Sequence, residues 1–186
     1  MRHDDDATIG TAEVIDALEL NRVIVVGQDW GGPISVAGTR LSKAEPAGFV
    51  FGNTAVLGPA RPFRPKAFHK LSHVPGLSDA LFVGGGFPLG ILSRVQGDRK
   101  SIGKAEQRAY RMPFKRFKDR AGPLGLARMI PNAETHPSTS ECDDNERWLS
   151  ELDVPTALVW GRQDPLLGSS LRRHRRLFPI ARVIEN

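Results

Sequence analysis

The sequence predicts an α/β fold, a parallel sheet interrupted by an inserted and mostly helical subdomain. Short β-branched runs stand beside amphipathic helical stretches at both ends of the chain. One group of them has the order strand, helix, strand, and a parallel pair of strands needs a helical crossover of the length found there. Between the two ends, from Gly58 to about Trp148, the strand signal disappears and Pro and Gly break the chain into short pieces.

The elements follow in order. Residues 11–20 place Val14, Ile15 and Leu18 on one face, the spacing of an amphipathic helix. Arg22–Val26 is a β-branched run of the kind buried on both sides of a sheet. After Asp29 the chain reads as helix from Pro33, a residue suited to the first turn, to about Lys43. A second strand covers Ala47–Gly52. In the interrupted region, helical stretches run from about Lys104 to Tyr110 and from about Pro123 to Met129. The strand signal returns at Pro155–Trp160, followed by a helix near Ser169–Leu177 and a last strand, Ala181–Glu185. The expected domains are a first part of the core over 1–58, a helical cap over 59–148, and a second part of the core over 149–186.

Composition narrows the class. The 186 residues are 40% hydrophobic and 25% charged, the balance of a globular protein large enough for one real core. No apolar run reaches the length of a membrane span, and Met1–Asp6 is acidic without a signal-peptide stretch. A single cysteine, Cys142, rules out an internal disulfide and fits a reducing, cytoplasmic location. The formal charge is +5. Eleven Lys/Arg against three acids lie between Arg94 and Arg128, and a second cluster spans Arg172–Arg176 around His174. Without aromatic interleaving or a nucleic-acid motif, both read as solvated helix faces. The expectation is therefore no nucleic-acid partner and no membrane partner. No cofactor motif or metal-ligand set is read, so neither a cofactor nor a metal is expected.

The strongest local signal is Val25–Pro33, which has the form strand, G-x-D-x-G, helix. This is the nucleophile-elbow pattern with aspartate in place of serine. A side chain at the flanking glycines is expected to clash with the neighbouring strand or helix, and the turn presents Asp29 at the carboxyl end of the sheet. The following helix aims its N-terminal amides at the same spot, which favours negative charge. A carboxylate so placed attacks carbon and leaves an ester that water must cleave.

Gly27-Gln28-Asp29-Trp30-Gly31-Gly32-Pro33 resembles the elbow of haloalkane dehalogenases, which have the α/β-hydrolase fold. The resemblance implies a partial α/β-hydrolase fold, a parallel sheet with an inserted helical cap. It implies that Asp29 is the nucleophile that displaces halide from a haloalkane or similar small apolar electrophile. Trp30 matches the halide-binding residue whose indole N–H receives the departing anion. One branch of the family carries a catalytic glutamate where this chain has Asn53, so the acid is expected elsewhere. Asp164, in Val159-Trp160-Gly161-Arg162-Gln163-Asp164-Pro165, stands where the other branches carry the triad acid that orients a histidine.

The resemblance also sets out departures. The family's catalytic histidine follows a stretch like Arg182–Asn186, and its early strands precede a position like Met1. The expectation is a fragment, truncated at both ends, that lacks the catalytic histidine and traps at most one alkyl group per chain. The strand Arg22–Val26 is then expected to be a bare hydrophobic edge that promotes self-association. His174 is expected to face water, and His69, His73 and His136 to be structural. An epoxide hydrolase is the nearest alternative. It resembles this chain in fold and nucleophile but uses two cap tyrosines, and Tyr110 is the chain's single tyrosine. An inactive remnant acting only as a binding module is the other.

Overall fold

The computed structural model describes residues 3–91, 98 and 100–186. In chain order the principal elements are α1 (His3–Ala17), β1 (Arg22–Asp29), α2 (Gly31–Leu41), β2 (Glu45–Thr54) and α3 (Ala67–Ser72). They continue with α4 (Lys104–Arg111), α5 (Ala121–Met129), α6 (Pro137–Ser150), β3 (Thr156–Trp160), α7 (Leu171–Leu177) and β4 (Arg182–Glu185). The chain divides into two compact units, Met1–Ala60 with Pro137–Asn186, and Arg61–His136.

In the first unit β1, β2, β3 and β4 form a parallel sheet in that order. The register pairs Asp29 with Thr54, Gly52 with Val159 and Trp160 with Glu185, so the carboxyl ends of all strands share one edge. Side chains alternate across a strand, and one face carries Val25, Phe49, Phe51, Leu158 and Trp160 into the core. Val36 of α2, Leu149 of α6 and Leu171 of α7 pack on that same face. Phe49 stacks on Phe51 at 5.3 Å between ring centres and meets the edge of Trp148.

The alternate residues point the other way. Ile24 is 67% exposed and Val26 74%, and Val159 and Ile184 beside them are also exposed. The sequence reading of Arg22–Val26 as buried on both faces is thus corrected. Among the described residues, the helical residues that reach the sheet core all cover one face.

The N-terminal helix begins earlier than its apolar spacing suggested, and its buried side is different. Thr8 and Ala12 are buried, whereas Val14 and Leu18 are exposed. The cause is a close crossing with α2: a Cβ on Gly38 would stand 2.6 Å from Thr11 Cβ. Only small residues allow that approach, so the small-residue stripe turns inward and the branched residues turn out.

Helix α6 falls in residues the sequence reading assigned to the cap, but it belongs to the first compact unit. Buried Asn145 keys it to the start of α2, donating to Pro33 O at 3.1 Å and accepting from Arg40 Nε at 3.3 Å. An ion pair from Arg40 to Glu141 lies alongside. Polar contacts of this kind leave little apolar periodicity in Pro137–Ser150.

The second unit has a small core of Phe82, Leu124 and Ala127 with Phe68 and Phe87 against it. Arg128 organises the polar side, reaching Ser72 O, Ser78 Oγ and Asp79 Oδ2. The Nε2–H groups of His73 and His136 both donate to the Arg128 carbonyl, at 2.9 and 3.1 Å. Arg120 donates to Phe114 O and to Val83 O and Gly84 O of the π-helical turn Ala80–Gly84.

Candidate active site

The site is built where β1, β2 and β3 end. Strand β1 runs into Asp29, whose φ of 48° lies in the left-handed region that non-glycine residues rarely adopt. The turn is crowded where the chain doubles back. A Cβ on Gly27 would stand 2.7 Å from Gly32 Cα, and one on Gly32 would fall on the Thr54 side chain. Gly31, by contrast, faces open space, so the expected clash belongs to Gly32 rather than to the second glycine of the G-x-D-x-G pattern. Thr54, fully buried, locks the turn by donating to Asp29 O at 2.7 Å.

Trp30 occupies the N-cap position of α2, half-buried, and its backbone N–H bonds the Asp29 carboxylate. The carboxyl of Asp29 is nevertheless held above the usual aspartate value. Lost hydration is the main cause and the negative charge of Asp164 the second, with the Trp30 N–H opposing both. Asp29 keeps solvent access as a residue, so the loss of hydration is partial.

Asp164 is held by hydrogen bonds from three residues. Its Oδ1 accepts from the N–H groups of Leu166 and Leu167 at 2.8 and 2.9 Å, and its Oδ2 accepts from Asn53 Nδ2 at 2.9 Å. Asn53 does more than fill a glutamate's place. Its Nδ2 also donates to Gly161 O at 3.0 Å, and its Oδ1 accepts from Gly161 N at 2.6 Å. The side chain thereby staples the end of β2 to the loop after β3. Its own φ is 31°, a conformation asparagine tolerates better than most residues. Sequence reasoning noted Asn53 only as a missing acid; its positive φ at a strand end had no visible signal.

A further chain of bonds runs behind the elbow. Ser170 Oγ donates to Thr54 O at 2.9 Å, and the Trp160 indole N–H donates to Leu167 O at 3.0 Å. His174 Nδ1–H donates to Ser170 O at 2.9 Å. Contrary to the sequence expectation, His174 does not face water: it is 1% exposed, with its ring 4.9 Å from Trp160. Helix α7 turns Leu171 and His174, three residues apart, toward the sheet and leaves Arg172, Arg175 and Arg176 exposed, while part-buried Arg173 reaches Gly58 O and Glu146. Burial pulls the His174 pKa down to about 4; the Ser170 bond opposes this and the Arg173 charge adds to it. Its Nε2 is buried and has no hydrogen-bond partner among the described residues. Thus the structure brings Asp29, Trp30, Asn53 and Asp164 to one strand edge, and it uses His174 as a core residue. Among the described residues, no group of three or more His, Cys, Asp or Glu is placed to hold a metal ion.

No family model matches the chain. The chain is 39% identical over 69 residues to proteins named haloalkane dehalogenase 2 from Mycobacterium bovis and Mycobacterium tuberculosis. That stretch is 37% of this chain and 24% of the relatives. Crystal structures of haloalkane dehalogenases superpose along its whole length. One from Bradyrhizobium elkani does so at a TM-score of 0.80 with 21% identity, and one from Agrobacterium tumefaciens at 0.81 with 16%. In both cases 100% of this chain matches 65% of the other, so the chain spans less than two thirds of their length. The chain has a partial α/β-hydrolase fold, like that of the haloalkane dehalogenases it superposes on.

Proposed function

We propose that this chain carries the nucleophilic half of a hydrolase that cleaves carbon–halogen bonds in small apolar molecules. The observation that carries the reading is Asp29 itself: a strained, partly desolvated carboxylate at a helix N-terminus, facing a second, clamped carboxylate. Strain of this kind persists where the surroundings over-determine it, and here Thr54 and the crowded Gly27–Gly32 contact do so. The similarity to haloalkane dehalogenases over the elbow-bearing fold supports the same role.

In the proposed reaction a carboxylate oxygen of Asp29 attacks the halogen-bearing carbon from behind. The new C–O bond forms as the carbon–halogen bond breaks, and the halide leaves with the bonding pair. Partial removal of water raises the energy of the ionised nucleophile, which favours attack once the group is deprotonated. The indole N–H of Trp30, next in the chain, is assigned to receive the halide. Water then gives a proton to a base and adds to the ester carbonyl; the acyl C–O bond breaks, the alkoxide leaves as the alcohol by taking that proton back, and the Asp29 carboxylate is restored. Asp164 is assigned to orient and stabilise that base when it becomes charged. Residues 61–136, the second compact unit, are assigned as the inserted helical cap. The epoxide-hydrolase alternative is disfavoured because Tyr110, the single tyrosine, is an exposed residue of α4.

Incubation with a bromoalkane, followed by bromide assay and peptide mass mapping, tests the assignment. The expected result is bromide release with the alkyl group on the peptide that contains Asp29, both abolished in Asp29→Ala. Neither bromide release nor an adduct, or an adduct that persists in Asp29→Ala, would overturn it.

A further inference from the structure

The positive charge of this chain is concentrated in two stretches. Lys104–Arg120 contains seven Lys/Arg and two acids, and Arg162–Arg182 six Lys/Arg and one acid; the rest of the chain is net acidic. Of the two acids in Lys104–Arg120, Asp119 is engaged by Arg116 in a paired contact at 2.8 and 3.0 Å. Lys104–Arg120 is also open to solvent to an unusual degree. Helix α4 and the turns Met112–Phe114 and Phe117–Arg120 bury no side chain.

Solvation explains exposed lysines and arginines, but not the apolar residues among them. Tyr110 is 53% exposed, Met112 62% and Phe117 66%. Phe117 stands beside the Arg120 guanidinium, 5.0 Å from its ring centre. The expectation that this basic stretch lacks aromatic interleaving is therefore corrected: Tyr110, Phe114 and Phe117 alternate with Arg108, Arg111, Lys115, Arg116 and Lys118. Exposed large apolar side chains interleaved with like charge along one short segment mark a binding segment.

We propose that Lys104–Arg120 is a docking surface for an anionic lipid bilayer. Basic side chains meet the lipid headgroups while Tyr110, Met112 and Phe117 enter the headgroup–acyl boundary. Charge complementarity identifies the partner as polyanionic, and the composition of the segment favours lipid over nucleic acid. It holds no Ser, Thr or Asn, and its one amide, Gln107, donates to Ile102 O, so the hydroxyls and amides that read adenine are lacking beside its arginines and lysines. Among the described residues no helix is long and apolar enough to cross a membrane, so the contact is one of lying on the surface. This replaces the expectation of no membrane partner, and it is independent of the chemistry proposed for Asp29.

Co-sedimentation of the full chain with phosphatidylcholine vesicles, with and without about 30% phosphatidylserine, tests the proposal. Binding is expected only with the anionic lipid, and is expected to fall in about 0.5 M salt. The triple variant Arg111→Glu, Lys115→Glu, Lys118→Glu touches none of the Arg120 contacts and is expected to bind about a hundredfold more weakly. Met112→Ser with Phe117→Ser keeps the charge and is expected to lose about tenfold. Circular dichroism on each variant establishes that the fold is kept. Absence of binding to anionic vesicles, equal binding to neutral ones, or full binding by the serine variant would each overturn the proposal. So would tighter binding to a single-stranded oligonucleotide than to the vesicles, which assigns the surface to nucleic acid.

Discussion

At the scale of the residue, the site depends on a carboxylate, Asp29, that senses the charge of Asp164. In the proposed reaction Asp29 attacks as the ionised carboxylate, and both lost hydration and the charge of Asp164 hold its pKa above the usual value. Alkylation should therefore fail on the acid side at a higher pH than an ordinary aspartate would allow. In Asp164→Asn the repelling charge is gone while the larger desolvation effect remains. The acid limb of the rate of bromide release is then expected to move to lower pH without reaching that of a free aspartate. A pH profile that does not move would remove Asp164 from the surroundings of the nucleophile. Asp29 and Asp164 were legible because each sits in a turn with recognisable glycines beside it. The Asn53 staple was not, since its partner lies 108 residues away in the chain and no local pattern records a bond of that length.

At the scale of the element, strand positions were read closely and helix faces poorly. The β-branched run at β1 and the short apolar runs at β2 and β3 announce themselves within a few residues. Which side of a helix is buried depends on what it packs against, as α1 and α7 both show. Helix α7 reads as an arginine-rich solvent helix, and yet it seats His174 against Trp160 and Phe51. This has a consequence for acid stability. The pKa of His174 is about 4 in the fold and about 6.5 unfolded, so between those values the unfolded chain binds a proton that the folded chain refuses. Stability is fully present above pH 6.5 and is lost as pH falls toward 4, by roughly 3 kcal/mol from this residue. Urea unfolding of the chain and of His174→Leu at pH 7 and pH 4.5 measures it. The variant is expected to lose less stability over that interval, and an equal loss in both would refute the assignment.

At the scale of the whole molecule, parallel sheets are ordinarily covered on both faces. Here Ile24, Val26, Val159 and Ile184 leave one face apolar and open, and β1 ends the sheet. The chain is expected to self-associate through this surface as its concentration rises, by light scattering, and Ile24→Thr with Val26→Lys to reduce the association. A monodisperse monomer at high concentration would count against it. Composition forecast a globular protein with one real core, but only the register of the strands reveals which apolar residues face outward together. The same unevenness governs charge. Because Lys104–Arg120 and Arg162–Arg182 are each strongly basic while the rest is net acidic, the isoelectric point of 9.8 describes two stretches of the chain and misdescribes the remainder. A cation-exchange bead is expected to hold this chain by those two segments rather than by its average charge.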